Sequence, residues 1–117
     1  MTYRNIKQFP PKTGVGVLSK TVKEDEMEKI AIKICKELKW HGIAEFDFRK
    51  ENATAKPYLI ECNPRFWSSL NQSVRSNIDY PYLLYKIATT GDCEEQLDPK
   101  IGVETEFLHR ESGNKHP

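Results

Sequence analysis

Acidic and amide side chains recur at alternate positions in two short stretches of the sequence. Asp47 lies in the alternating segment 43–49, and Glu61 and Asn63 share one face of the alternating segment 58–63. If the two segments pair as antiparallel strands, three oxygen ligands converge on one side of the sheet. Mg²⁺ prefers hard oxygen donors and usually takes one or two carboxylates together with substrate phosphates. The spacing therefore predicts a magnesium site, and the alternative that spacing leaves open is the solvated polar face of a half-exposed hairpin.

Arg65 follows this set directly after the predicted strand end. A guanidinium in that place can bind a carboxylate or phosphate through two parallel hydrogen bonds. Ser68 and Ser69 add hydroxyls and a helix start to which an anion could bind. The alternative is a surface arginine beside an ordinary helix start. Glu45 lies on the acidic face one pair of positions further out, and we interpret it as structural.

A long amphipathic helix precedes the hairpin. Apolar residues recur at three- and four-residue spacing over 24–38, the pattern of a helix with one buried face. We expect a capping box from Thr21 to Glu24 at its start, and Gly42 at its end.

Shorter elements surround this helix and hairpin. Residues 2–9 form a first polar segment, and residues 15–19 read as a short strand. After the hairpin, one helix is predicted from about residue 68 to 76, and another from an Asp79 cap to Gly91. The predicted fold is thus α+β, an antiparallel sheet with packed helices.

Length and composition bound the class of protein. The chain has 117 residues, 38% of them hydrophobic and 30% charged, which suits one domain with one core. We expect residues 1–92 to form the main subdomain. Residues 93–117 are predicted to be a loop with an added strand near 103–107 and a loose tail over 112–117. Three widely spaced cysteines favour reduced thiols over a disulfide framework or a zinc site, and the predicted location is cytoplasmic.

Two strings of residues resemble the metal- and phosphate-binding end of the ATP-grasp superfamily, in its branch similar to carbamoyl-phosphate synthase and biotin carboxylase. One is the stretch 42–48, with an acidic residue between two apolar ones. The other is the stretch 58–69, with the order Glu-x-Asn-Pro-Arg. That order is fairly specific when it follows an acidic strand and precedes a helix. The likeness covers roughly residues 3 to 92.

The resemblance implies a role for each matching residue. Asp47 corresponds to the first metal ligand, Glu61 to the bridging ligand that also serves the nucleotide, and Asn63 to the third ligand. Arg65 corresponds to the catalytic and ATP-binding arginine that contacts the phosphate or acyl-phosphate. The implied cofactors are ATP and Mg²⁺ or Mn²⁺. The implied reaction is ATP-dependent ligation, in which a carboxylate becomes an acyl-phosphate that an amine, ammonia or a thiol attacks.

The chain departs from the family pattern in one large respect. ATP-grasp enzymes carry their phosphate-contacting lysines, glycine-rich loop and adenine-binding hinge in an earlier part, and the stretch from Gly14 to Gly16 is too short to be that loop. We therefore expect the C-terminal half of an ATP-grasp domain, incomplete and inactive by itself. Its expected partners are the missing N-terminal half, with ATP and a carboxylate substrate bound in the parent protein.

Two other classes of function stay open. A metal-dependent nuclease core has an Asp followed on the next strand by Glu-x-Lys, but position 63 is Asn, which removes the usual cation. A non-catalytic binding module derived from the ATP-grasp fold would keep the same ligands as relics. Plasmid cleavage with Mg²⁺ and nucleotide binding would discriminate among the three.

Partners can also be predicted from charge and apolar patterning. Eighteen Lys and Arg against 17 Asp and Glu leave a net charge of +1, so we expect neither nucleic acid nor a membrane as a partner. Tyr3, Ile6 and Phe9 along the first segment, with Phe66 and Trp67 near the site, would form exposed apolar surface. We expect a two-fold homodimer through the N-terminal edge; the alternative is a monomer whose loops cover the patch.

Overall fold

A computed structural model describes residues 1–107 of the chain. Five strands and three helices follow one another in the order β1 (Thr2–Phe9), β2 (Val15–Val22), α1 (Asp25–Glu37), β3 (Glu45–Lys50), β4 (Pro57–Asn63), α2 (Leu70–Arg75), α3 (Tyr80–Thr90) and β5 (Glu104–Glu106). The predicted α+β class is confirmed, with the strands divided between two antiparallel sheets. The tail predicted over 112–117 lies outside the described residues. No helix within residues 1–107 is long and apolar enough to cross a membrane.

The first of two compact units combines three separate parts of the chain. It contains Met1–Lys23, Asn71–Ile78 and, among the described residues, 96–107. Its sheet has the antiparallel order β1-β2-β5, with Thr2 opposite Val22 at one end of the first pair. Val17 and Ile78 are its buried apolar residues.

Strand β1 forms one edge of that three-stranded sheet. Its Ile6 is 49% exposed and its Phe9 is 38% exposed. The homodimer expected through this edge stays a prediction.

The second unit contains Glu24–Leu70 and Asp79–Glu95. It holds the β3–β4 hairpin, helix α1 and helix α3. The Lys50 ammonium at the end of β3 binds the Glu24 carboxylate just before α1, with Nζ 2.7 and 2.6 Å from the two oxygens. This ion pair links the start of the helix to the end of the strand.

Helix α1 matches its predicted span to within one residue at each end, but the two capping interactions predicted for it were wrong. Thr21 lies in β2, which continues three residues beyond the predicted strand, so its hydroxyl does not cap α1. At the other end the helix stops at Glu37, and Lys39 takes a left-handed φ of 50° that turns the chain before Gly42 is reached. The local capping pattern failed at Thr21 because this residue belongs to β2, where its side chain is buried in the first unit.

Helix α3 begins and ends where the sequence predicted. The Asp79 carboxylate accepts a hydrogen bond from the Tyr82 backbone N–H at 3.0 Å, and Pro81 occupies the first turn. Gly91 closes the helix with a left-handed φ of 83°.

Candidate metal and phosphate site

The β3–β4 hairpin has the antiparallel pairing that the sequence predicted. Asp47 lies opposite Glu61, and Glu45 lies opposite Asn63. Side chains of directly opposed residues project from the same face of a sheet. All four polar side chains therefore share one face, and the intervening Phe46–Cys62 pair belongs to the other.

A bulge in β4 changes the alternation next to this polar face. Phe48 pairs with Leu59, so Ile60 has no partner on β3 and is 60% exposed. The regular alternation had assigned Leu59 to the acidic face and Ile60 to the opposite one. The register instead places Leu59 with Phe48, and that part of the prediction was wrong because one extra residue reverses the alternation.

Asn63, Glu61 and Asp47 form a continuous row. The Asn63 amide nitrogen donates a hydrogen bond to Glu61 Oε1 at 3.0 Å. Glu61 in turn shares a hydrogen bond with Asp47. Because the nitrogen end of the Asn63 amide is used within the row, its Oδ1 atom is the end suited to bind a cation.

The pKa values of the Asp47 and Glu61 carboxyl groups are shifted in opposite directions. Partial burial, the charge of Glu45 and the hydrogen bond with Glu61 raise the pKa of Asp47. The hydrogen bonds from Asn63 and Asp47, with the charge of Arg65, lower the pKa of Glu61. Of the two groups, Asp47 is therefore the one whose ionised form is disfavoured. A divalent cation beside the two groups would favour the ionised form of Asp47.

Arg65 lies at the end of the same face. Its backbone N–H bonds to the Asn63 carbonyl at 2.9 Å, which makes a tight turn around Pro64. Its guanidinium Nη1 lies 3.9 Å from Glu45 Oε1 and donates to the Phe66 carbonyl at 3.1 Å. The Arg65 side chain is 62% exposed and that of Glu45 only 14%. The guanidinium is therefore accessible to an anion while Glu45 limits where it can move.

In the loop after Arg65, the prediction that Trp67 forms exposed apolar surface was wrong, because the side chain is partly buried. The Trp67 indole N–H is buried without a hydrogen-bond partner, and its ring packs edge-on against Tyr80 with centroids 5.1 Å apart. Of the two serines predicted to bind an anion, Ser68 is exposed but Ser69 is buried. A Trp beside a Tyr thirteen positions later gives no periodic signal, so only the folded chain brings them together.

The donor set fits a hard divalent cation. Two carboxylates and an amide oxygen are the ligand types that Mg²⁺ and Mn²⁺ take together with phosphate oxygens. Within residues 1–107, no group of three His, Cys, Asp or Glu side chains could hold a metal ion by itself. The predicted set contains two such side chains and Asn63, so phosphate oxygens or water would have to complete the coordination.

One known protein family matches most of the chain. The family model described as "ATP-grasp in the biosynthetic pathway with Ter operon" matches residues 9–110. The chain belongs to the ATP-grasp family. This confirms the superfamily that residues 42–48 and 58–69 predicted, whereas the branch similar to carbamoyl-phosphate synthase and biotin carboxylase stays a prediction. No curated protein and no solved structure gave a significant match.

The family match includes the row of Asn63, Glu61 and Asp47, called the acidic row below. The matched region contains the whole β3–β4 hairpin and the turn that carries Arg65. It also extends beyond the likeness seen in the sequence, through β5. ATP-grasp proteins generally use ATP with Mg²⁺, which agrees with the chemistry of the row.

Proposed function

We propose that this chain supplies the metal-binding and phosphate-contacting residues of an ATP-dependent ligase that joins a carboxylate to an amine, to ammonia or to a thiol. The parent reaction passes through an acyl-phosphate, as the resemblance to the carbamoyl-phosphate synthase and biotin carboxylase branch implies. The observation that carries the proposal is the row in which Asn63, Glu61 and Asp47 are linked by hydrogen bonds on one face of the hairpin.

Each residue has a part that follows from its chemistry. Asp47, Glu61 and Asn63 would hold Mg²⁺ or Mn²⁺ through oxygen atoms, and the cation would neutralise charge on the nucleotide phosphates. The exposed Arg65 guanidinium binds the transferred phosphate or the acyl-phosphate. Glu45 acts on Arg65 rather than on the cation, because its carboxylate faces the guanidinium at 3.9 Å.

Paramagnetic Mn²⁺ gives a test that locates the site even when binding is weak. Mn²⁺ is titrated into the full 117-residue chain while backbone amide signals are followed by NMR. We expect the signals of Asp47, Glu61 and Asn63 to broaden at the lowest Mn²⁺ concentrations. Glu61→Gln should raise the concentration needed at least tenfold, because one anionic ligand is lost.

A matched substitution controls for general charge loss. Glu94→Gln removes an exposed carboxylate from the same unit, outside the hairpin, and should leave the broadening pattern unchanged. Equal broadening at other acidic residues, or the same response from the two variants, would refute the metal site. An ATP-dependent ligation assay on the parent enzyme, with and without Glu61→Gln, then separates a catalytic role from that of a binding module with relic ligands.

A further inference from the structure

Residues 96–107, called the strap below, are attached to the first unit mainly by hydrogen bonds. The backbone N–H groups of Lys100, Gly102 and Phe107 donate to carbonyls at 2.8, 2.9 and 2.8 Å, respectively. The Thr21 N–H donates back to the Val103 carbonyl at 3.0 Å. The acceptors belong to both other parts of the unit, since Ser76 lies beside α2 while Thr21 and Val17 lie in β2.

Apolar burial in this attachment is incomplete. The large apolar side chains Leu97 and Ile101 of the strap are 69% and 50% exposed, and Val103 and Phe107 are only partly buried. Glu104 and Glu106 are exposed as well. A segment with few buried apolar contacts opens at a lower free energy than the core of its unit.

Gln72 is the side chain on which the strap converges. It is completely buried, and its Nε2 donates to Thr21 Oγ1 at 2.6 Å and to the Val103 carbonyl at 2.5 Å. Its Oε1 accepts a hydrogen bond from the Thr105 hydroxyl. A carbonyl oxygen can only accept, so the contact with Val103 fixes which end of the amide faces the strap. Two of the three partners of Gln72 thus belong to the strap.

The remaining partner is held by a second buried contact. Thr21 Oγ1 lies 2.7 Å from Ser76 Oγ, and both residues are fully buried. If the strap left, Gln72 would lose the Val103 carbonyl and the Thr105 hydroxyl together. An unmatched buried amide is unfavourable, so partial release of the strap is disfavoured.

We propose that the strap opens and closes as one local unfolding unit and that the Gln72 side chain is the lock that holds it shut. Opening would break the strap's bonds to β2 and to the α2 segment at the same time. It would uncover the Leu18–Lys20 edge of β2, which β5 otherwise covers.

Native-state hydrogen exchange on the full chain tests the proposal. We expect the amides of Lys100, Gly102 and Phe107 to exchange with similar protection factors, lower than those of the β1–β2 ladder. Gln72→Leu should lower the protection of these three amides roughly tenfold or more while the β3–β4 amides keep theirs.

A milder pair of variants keeps the proposal falsifiable if Gln72→Leu does not fold. Thr105→Val removes one hydroxyl bonded to Gln72 and should lower strap protection roughly fivefold. Thr89→Val removes a hydroxyl that bonds a backbone carbonyl of α3 and should leave the strap unchanged. Strap amides that exchange independently of one another, or together with the β1–β2 ladder in all variants, would overturn the proposal.

Discussion

In the first unit, Gln72, Thr21 and Ser76 are completely buried and each is hydrogen-bonded to another member of the group. In the second unit, Asp47 and Glu61 lie opposite each other on a solvent-facing side of a hairpin, where partial burial and the charges of Glu45 and Glu61 raise the pKa of Asp47. Both regions gather polar side chains from segments distant in sequence. In the first region the buried polar side chains are hydrogen-bonded to one another and to the strap, whereas the second region carries an excess of negative charge.

The difference indicates which polar cluster is structural and which is suited to a ligand. A network whose donors and acceptors are matched gains nothing from an added ion. The row gains from a cation, because a cation favours the ionised form of Asp47, which burial and the charges of Glu45 and Glu61 disfavour by raising its pKa. Both clusters are polar. They differ in whether their hydrogen-bonding groups and charges are already matched within the protein.

The largest effect is expected at the centre of the buried network. Gln72→Ala removes three hydrogen bonds and leaves buried partners unmatched, so it should lower the free energy of unfolding by about 3 kcal/mol. Urea denaturation followed by circular dichroism measures this. Asn71→Ala, at the exposed neighbouring position of α2, should change it by less than about 0.5 kcal/mol. Similar losses for the two variants would contradict the structural role of the network.

The next effect concerns the ligand side of the comparison. Arg65→Ala should weaken binding of ATP in the presence of Mg²⁺ roughly tenfold, because one charge-assisted contact to phosphate is lost. The same variant should leave Mn²⁺ broadening at Asp47 in place. ATP binding in the presence of Mg²⁺ is measured by NMR titration. Arg75→Ala, which removes an exposed arginine at the end of α2, is the control. Unchanged ATP binding in Arg65→Ala would remove the arginine from the site.

A smaller effect is expected at Asp47. Asp47→Asn removes a carboxyl whose ionisation the fold disfavours, so the melting temperature at pH 7 and without divalent cations should rise slightly. Asp47 has a raised pKa, so its stabilising contribution is complete below its unfolded pKa of about 3.9 and is lost as the pH rises through its folded pKa. The advantage of the variant should therefore be greater at pH 7 than near pH 4.

The pH dependence of Asp47→Asn also separates the two carboxyl groups. Glu61 has a lowered pKa, so its contribution is present above its unfolded pKa and is lost as the pH falls. Glu61→Gln should thus show no gain in melting temperature at pH 7. A gain in both variants would mean that the two groups share the repulsion equally.

The smallest effect is expected at the ion pair between Lys50 and Glu24. The two side chains are 33% and 26% exposed, and pairs of this kind contribute little. Lys50→Met should lower the free energy of unfolding by about 0.5 kcal/mol, with Lys33→Met on the exposed side of α1 as the control. A loss above about 2 kcal/mol would show that this pair, like the Gln72 network, is structurally essential.

Much of the hairpin could be predicted because its signals are local. Alternation over 43–49 and 58–63 is sufficient to place Asp47, Glu61 and Asn63 on one face, and antiparallel pairing then brings them together. The bulge at Ile60 could not be predicted, since neither glycine nor proline marks it. The Trp67–Tyr80 contact was missed because it depends on where the loop after Arg65 meets α3.

The sequence by itself determined the ATP-grasp family, the α+β class, the caps of α3 and the residues of the acidic row, because each depends on neighbours within a few positions. Only the tertiary structure decided the fate of Thr21, Gln72 and Thr105, which lie 51 and 33 positions apart. Thr21 reads locally as a helix cap, yet its hydroxyl is bound in the interior of the first unit. Burying a polar group is tolerated only where partners from distant segments match it, and that requirement is met by the fold as a whole.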